Sequence, residues 1–480
     1  MGKLKTVYKK FPRTFWVANS MELFERWSYY GIFAVLALYL TNSRDTGALG
    51  FTQIQKGTLM GTFGALVYFL PIITGSIADK LGYKKVLLLA YGILISGYLL
   101  IGSVDSYLMV FIVLIYTAIG SALFKPIVSA TIAKTTDKET SSIGFGIFYM
   151  IVNIGAFIGP VVASKSRQLD WNYVFIVSAI VIGINVILLL FFFKEPDREK
   201  SEERFIKSLK KIFLNIYIVL KDWKFALFLI IIIGFWTMYF QLFYTLPNFI
   251  DQWVNTREIY NVLAKISQPL AEAIGTKEGT IAPEMLINID AFYIIIFQIL
   301  ISTLVMKFKP INSMISGIFI SAIGVGLWFV TDNGFYLFLS MLVFSIGEMS
   351  SSPKITEYLG RIAPKDKVAL YMGTSFLPMA GGNFFAGLLS GRTYGAISDK
   401  MNLLKKEIAT RELNIPEISE NFTKNDYWNQ AKELLNMTDA SLTQYLWVQY
   451  NPSRIWIIFT LIGASTAVGL LIYDRFLMKK

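Results

Sequence analysis

The sequence predicts an all-α membrane protein with twelve transmembrane helices in two bundles of six, and three observations predict it. Of 480 residues, 54% are hydrophobic and 16% charged, the composition of a chain that crosses a bilayer repeatedly. Twelve apolar stretches recur, most of them near the roughly 20 residues that span a membrane. The net charge of +12 collects in short segments between alternate stretches, a positive-inside pattern and not a nucleic-acid footprint.

The stretches are 15–40, 50–77, 86–102, 108–132, 143–163, 173–193, 225–249, 291–306, 311–330, 335–358, 368–389 and 455–476. Gly and Pro interrupt many of them, which a membrane helix tolerates when neighbouring helices re-satisfy its backbone. Basic clusters at 79–85, 134–138, 194–224 and 361–367 fall on one side with the N-terminus. The other side has few basic residues, Arg44 and Lys56, then Lys165 and Arg167. Both termini are therefore expected in the cytoplasm, in a multi-pass protein of the plasma (inner) membrane. Residues 1–193 read as an N-terminal six-helix bundle. Residues 194–224 read as a cytoplasmic linker with an interfacial amphipathic helix along Phe205, Leu209 and Phe213, and 225–480 as a C-terminal bundle. Two small polar insertions, 255–288 and 394–452, fall on the outer face, with amphipathic pieces at 259–274, 400–412 and 428–435; a protein partner there is a possible addition to the bilayer. The basic N-terminus precedes an apolar stretch without a small-residue cleavage pattern, so it is not read as a removed signal peptide.

There is no cysteine and no histidine. Disulfides, a thiolate nucleophile and Cys-based metal sites are excluded, and proton chemistry must run through carboxylates in place of imidazole. No nucleophile–base pair, metal cluster or phosphate-binding loop is legible, so neither an enzyme nor a cofactor or metal is expected.

Polar chemistry concentrates in residues 21–31, MELFERWSYYG. At 3.6 residues per turn, Glu22, Glu25, Arg26, Tyr29 and Tyr30 share one helix face. Charges within a membrane helix cost about 2.5–3.5 kcal/mol each on insertion scales and usually mark a pathway. A Glu22–Arg26 salt bridge that only holds helices together is the competing reading, but it requires neither a third charge nor two phenols. Lys125 is a second intramembrane cation, and Glu348 is an anion from the other half. Arg26 and Lys125 suit a carboxylate, Arg26 bidentately, and Glu348 suits an ammonium, so the set suits a zwitterion. The competing readings are a salt bridge for Lys125, helix packing for Glu348, interhelical glue for Asn153 and ordinary interior aromatics for Tyr29, Tyr30 and Tyr68.

Six helices plus six is the plan of the major facilitator superfamily, whose halves rock around a midplane site. Gly75-Ser-Ile-Ala-Asp79-Lys80-Leu-Gly82-Tyr-Lys84-Lys85 resembles the cytoplasmic motif of that superfamily, with Asp79 and Lys80 as its gating residues. The 22–31 stretch closely resembles the E-x-x-E-R-F-x-Y-Y-G motif of the proton-coupled oligopeptide transporters, with Trp27 for the usual Phe. Phe145 to Phe157 is similar to the helix-five signature of that family, Phe124-Lys125-Pro126 to its helix-four Lys-Pro, Glu348-Met-Ser-Ser-Ser352-Pro353 to its helix-ten motif, and Gly64 to Tyr68 also fits. The resemblance implies an atypical bacterial member that imports di- or tripeptides with protons. Arg26 and Lys125 would bind the peptide carboxylate, Asn153 and Glu348 the amino end, and Glu22, Glu25 and Lys125 would couple the proton; Tyr29, Tyr30 and Tyr68 would line the pocket.

The sequence departs from that pattern at Phe33, where a basic residue is usual, and at Phe240, where an acid often precedes Gln241. Ile127 stands for an Asn, and Asp290-Ala291 for an Asn-Pro. Asp290 is therefore expected to share in amino-end recognition or in titration, against the alternative that it sits solvated and idle at the mouth of helix eight. The linker also lacks two extra helices found in many bacterial members. Transport of another small anionic or zwitterionic solute, or a non-transporting membrane receptor on the same fold, are the other functions the sequence admits.

Overall fold

The computed structural model describes residues 10–137, 140–197, 205–328, 332–364 and 367–478. The basic N-terminal run, Lys138, the middle of the 194–224 linker and Lys365 lie outside the described residues. Among the described residues, twelve long helical segments follow the twelve apolar stretches, and no strand is present beyond two isolated bridges.

The first half contains α1 (Arg13–Thr41), α2 (Gln53–Phe69, continued by Pro71–Leu81), α3 (Tyr83–Ile101), α4 (Tyr107–Lys134), α5 (Ser141–Arg167) and α6 (Trp171–Phe191). The second contains α7 (Trp223–Tyr239, continued by Gln241–Tyr244 and Leu246–Trp253), α8 (Pro283–Val305), α9 (Pro310–Leu327), α10 (Gly334–Ile362), α11 (Leu377–Ile397) and α12 (Ile455–Ile472). Among the described residues, nine helices are long and apolar enough alone to cross a membrane, and the two pieces of α2 make a tenth span. The other two are α1, which carries its charges buried, and the glycine-rich α11.

Local chemistry sets the ends. Thr52 and Gln55 form a capping box at α2, and Asp170 and Asp222 cap α6 and α7, each satisfying N–H groups that a helix start leaves orphaned. Pro71 cannot donate to the helix before it, and α2 bends there by 47°. Three boundaries differ from the sequence reading. Pro283, whose missing N–H suits a first turn, starts α8 before position 291 and shortens the first insertion. The 368–389 stretch is a short turn of helix at Val368–Met372, then α11 from Leu377 with Pro378 in its first turn. The 259–274 piece is two helices, Arg257–Ile266 and Gln268–Ile274, separated at Ser267, whose hydroxyl caps the second.

The linker helix Phe205–Leu220 exposes Phe213, Leu214 and Tyr217, an apolar face of the kind expected at a membrane surface. Glu195, just beyond α6, accepts the backbone N–H of Tyr83 at 2.8 Å and of Lys84 at 3.3 Å. It thus caps α3 where Gly82, at φ 100°, reverses the chain. Asp79 and Lys80 stand exposed on the last turns of α2.

Contacts that join the two bundles concentrate at the end carrying the insertions. There α2 and α11 meet backbone to backbone: a Cβ at Gly57 would lie 2.2 Å from the Gly387 carbonyl oxygen, so glycine is required at this crossing. Arg167 of α5 forms a bidentate pair with Glu284 of α8, at 2.6 and 3.0 Å. Lys165 donates to the carbonyls of Glu272 and Gly275. Lys56 corrects the sequence reading, which placed it among the loop residues. It lies on α2, fully buried, and donates to the Tyr244 carbonyl at 2.7 Å, at the break in α7.

Candidate functional site

Between the bundles lies a cavity of about 190 Å³. Tyr29, Tyr30 and Phe33 of α1, Tyr68 of α2, and Tyr149 and Asn153 of α5 form one wall. Trp236, Tyr239, Phe240 and Phe243 of α7, Asp290 of α8 and Glu348 of α10 form the other. Six of the residues expected at the site thus share one cavity: Tyr29, Tyr30, Tyr68, Asn153, Asp290 and Glu348.

The α1 stripe forms as its spacing requires. Arg26 pairs with Glu25 and, at 3.4 Å, with Glu22 one turn earlier. Its guanidinium lies 5.0 Å from the Tyr29 ring centre and 5.9 Å from that of Tyr30, within cation–π range. Glu25 is fully buried, and its Oε1 has no hydrogen-bond partner. This packing depends on α5: a Cβ at Gly155 would come within 2.8 Å of Arg26 Cβ, which explains the glycine in the stretch 145–157.

Lys125 precedes Pro126 within α4. Its ammonium is 3.9 Å from the centre of the Tyr68 ring and 5.9 Å from that of Tyr29, with no ion pair to Glu22 or Glu25. Arg26 and Lys125 do not themselves line the cavity; they reach it through the tyrosine rings that do.

On the opposite wall Asp290 is 5% exposed and so is not solvated at the mouth of helix eight. It accepts a hydrogen bond from Ser345, and Glu348 faces the same cavity close beside it. Two carboxyl groups facing one cavity make this wall suited to a cation. Glu348 Oε2 is buried without a partner. Asn153 donates to the Tyr149 carbonyl of its own helix at 2.8 Å. Sequence reasoning missed the α7 aromatic wall, because Trp236, Tyr239 and Phe243 look like any lipid-facing aromatics in an apolar run. It also missed Ser345, one of many helix serines.

The geometry has counterparts. The family model of the Major Facilitator Superfamily matches residues 16–254. The dipeptide and tripeptide permease A of Citrobacter koseri is 28% identical over 440 residues, covering 80% of this chain and 84% of that protein. The di-/tripeptide transporter of Lactococcus lactis subsp. lactis is 28% identical over 279 residues, covering 55% of this chain and 53% of that protein. Among solved structures, the peptide transporter POT in complex with sulfate superposes with a TM-score of 0.70 at 18% identity, over 96% of this chain and 94% of that one. A POT family transporter in complex with 5-aminolevulinic acid gives 0.69 at 17% identity, over 98% and 99%. A two-bundle fold with its polar residues gathered around an interbundle cavity, the superfamily model over the first half of the chain and the likeness to peptide transporters lead to one conclusion: the chain has the major facilitator fold, and the proteins it is similar to are peptide transporters.

Proposed function

We propose that this protein is a proton-coupled secondary transporter, not an enzyme, that imports di- and tripeptides by alternating access. One observation carries the reading: a cavity between the bundles has cations behind the tyrosines of one wall and two carboxyls on the other. A short peptide is a zwitterion with the same separation of charge. Arg26 and Lys125 take the carboxylate, and Asp290 and Glu348, with Asn153, take the ammonium. Tyr29, Tyr30 and Tyr68 pack against the peptide between them. Glu22 and Glu25 compete with substrate for the cations, and a proton on either glutamate frees a cation for the substrate. Asp79 and Lys80 act at the linker end, where the bundles part. The named activities of the Citrobacter koseri and Lactococcus lactis relatives support this assignment.

The test is uptake of labelled dipeptides into proteoliposomes with and without an inward proton gradient. Concentrative uptake is expected only with the gradient. An amidated dipeptide should compete at least roughly tenfold less well than the free acid, since a charge-assisted contact is worth about 1.5–3 kcal/mol. Equal competition overturns the carboxylate assignment. A second reading, another small zwitterion or anion, draws on Phe33 and Phe240, aromatic residues in the cavity wall; it prevails if no dipeptide is taken up and a non-peptide zwitterion is.

In the inner membrane, both termini and the linker face the cytoplasm and the insertions face outside. The chain has no native cysteine, so single cysteines report topology directly. In intact cells an impermeant maleimide should label a cysteine at Ser419 and not one at Ser208; the reverse pattern inverts the orientation.

A further inference from the structure

The second insertion does not stand free of the transporter. Its helices, Lys400–Thr410, Lys424–Leu435 and Asp439–Tyr450, enclose a small core of Leu403, Leu404, Ile408, Ala431, Leu442 and Leu446. It is joined rigidly to the C-terminal bundle. Trp253 Nε1 donates to the Ser398 carbonyl at 2.8 Å, and Ser398 Oγ donates to Pro452. Gln252 accepts from the Lys400 N–H, and Trp447 packs on Phe249 and Trp253. Glu407, inside the insertion, accepts hydrogen bonds from Tyr445, Tyr450 and Arg411. So constructed, the insertion moves with the C-terminal bundle.

From this rigid body Lys424 crosses to the other bundle. It is the first residue of its helix, positioned by the Thr423–Asp426 capping box. Its ammonium donates to the carbonyl of Thr41, the last residue of α1, at 2.6 Å and to that of Phe51, just before α2, at 3.0 Å. The last carbonyls of a helix lack intrahelical partners and sit at the negative end of its dipole, so a cation is suited to this position. Asn425 adds bonds to Ser43 at 3.2 Å and Asp45 at 2.6 Å. The exposed Arg44–Glu420 pair lies alongside and contributes little in water. All of these bonds cross a boundary that must open for substrate to enter from the insertion side.

We propose that Lys424 is a gating residue: the second insertion is a clasp that grips the α1–α2 connection and holds the outer side of the transporter closed, setting the balance between its inward- and outward-facing states. This proposal rests on alternating access but not on the identity of the substrate. Acceptance by carbonyls in place of a carboxylate means that opening releases a lysine to water without stranding a buried anion.

The test uses the natural absence of cysteine. Ala34, which lines the central cavity, is replaced by cysteine, and labelling by an impermeant maleimide is timed from the outside of intact cells. Lys424→Ala should speed labelling about tenfold, the population shift that about 1.4 kcal/mol gives, and Lys424→Arg should restore the slow rate. An unchanged rate in Lys424→Ala, or no rescue by arginine, overturns the clasp. A second measurement keeps Lys424 in place: cysteines at Ser43 and Asn425, joined by a short bifunctional reagent, should arrest uptake, with activity returning on cleavage of the linker. Undiminished uptake by the cross-linked protein also overturns the proposal. The labelling assay needs no substrate, so its failure is distinct from a failure of peptide transport.

Discussion

Arg26→Ala should abolish peptide uptake, the largest effect expected of any single substitution in this protein. Arg26 stands between Glu22 and Glu25 with its guanidinium beside the Tyr29 and Tyr30 rings, and among the described residues no other cation is in ion-pair contact with these glutamates. Removing it deletes the bidentate partner proposed for the substrate carboxylate. It also leaves two buried carboxylates uncompensated, a change worth about 3–5 kcal/mol when one member of a buried pair is lost. The two effects separate experimentally. Pairing Arg26→Ala with Glu25→Gln should recover yield and monodispersity in detergent without recovering uptake. Arg26→Lys should keep the charge and lose most of the rate, because an ammonium lacks the planar fork. Uptake by folded Arg26→Ala at even a tenth of the normal rate would remove Arg26 from the binding site.

The second large effect concerns coupling. Glu25→Gln should lose gradient-driven uptake and keep counterflow, in which substrate exchanges without net proton movement. Glu25 is wholly buried and bonded to Arg26 through one oxygen, with the other unpartnered. A neutral amide mimics the protonated carboxyl permanently, so binding persists while the proton-linked return of the cation is lost; linkage of two ligands through one charge balance is reciprocal. Concentrative uptake by Glu25→Gln would sink this scheme. Asp290→Asn belongs beside it. Asp290 accepts a hydrogen bond from Ser345 and faces the cavity beside Glu348, so the amide should weaken substrate affinity and alter the pH dependence of uptake. If both activities and their pH dependence stay unchanged, Asp290 has no part in transport.

Several of these residues were legible before any coordinates. Charges within an apolar helix are so costly that Glu22, Glu25 and Arg26 announce an interior polar face, and helical spacing alone puts them together with Tyr29 and Tyr30. Lys125 and Glu348 stand out for the same reason, and most of the spans follow from apolar length. Lys56 and Lys424 were not legible, because a lysine near the edge of an apolar run reads as a solvated loop charge until its surroundings are known. The partner of Lys56 is a carbonyl 188 residues away, and the nearer partner of Lys424 is one 383 residues away. The backbone offers a carbonyl at every residue, so such a bond leaves no trace in residue identity.

What the sequence determined by itself was the solvent and the period: membrane helices, their number, and the helix faces on which charge is buried. These depend on transfer free energies and the 3.6-residue repeat, both local properties. Only the tertiary structure decided which faces share a cavity. It put Asp290 against Glu348 in the cavity wall and not at a solvated mouth, and it left Lys125 over Tyr68 instead of paired with a glutamate. It also carried the second insertion onto the opposite bundle. Each of these depends on the packing of helices far apart in the chain, where glycine contacts such as Gly57 against Gly387 set how closely two backbones approach, and no local pattern encodes which helix is the neighbour.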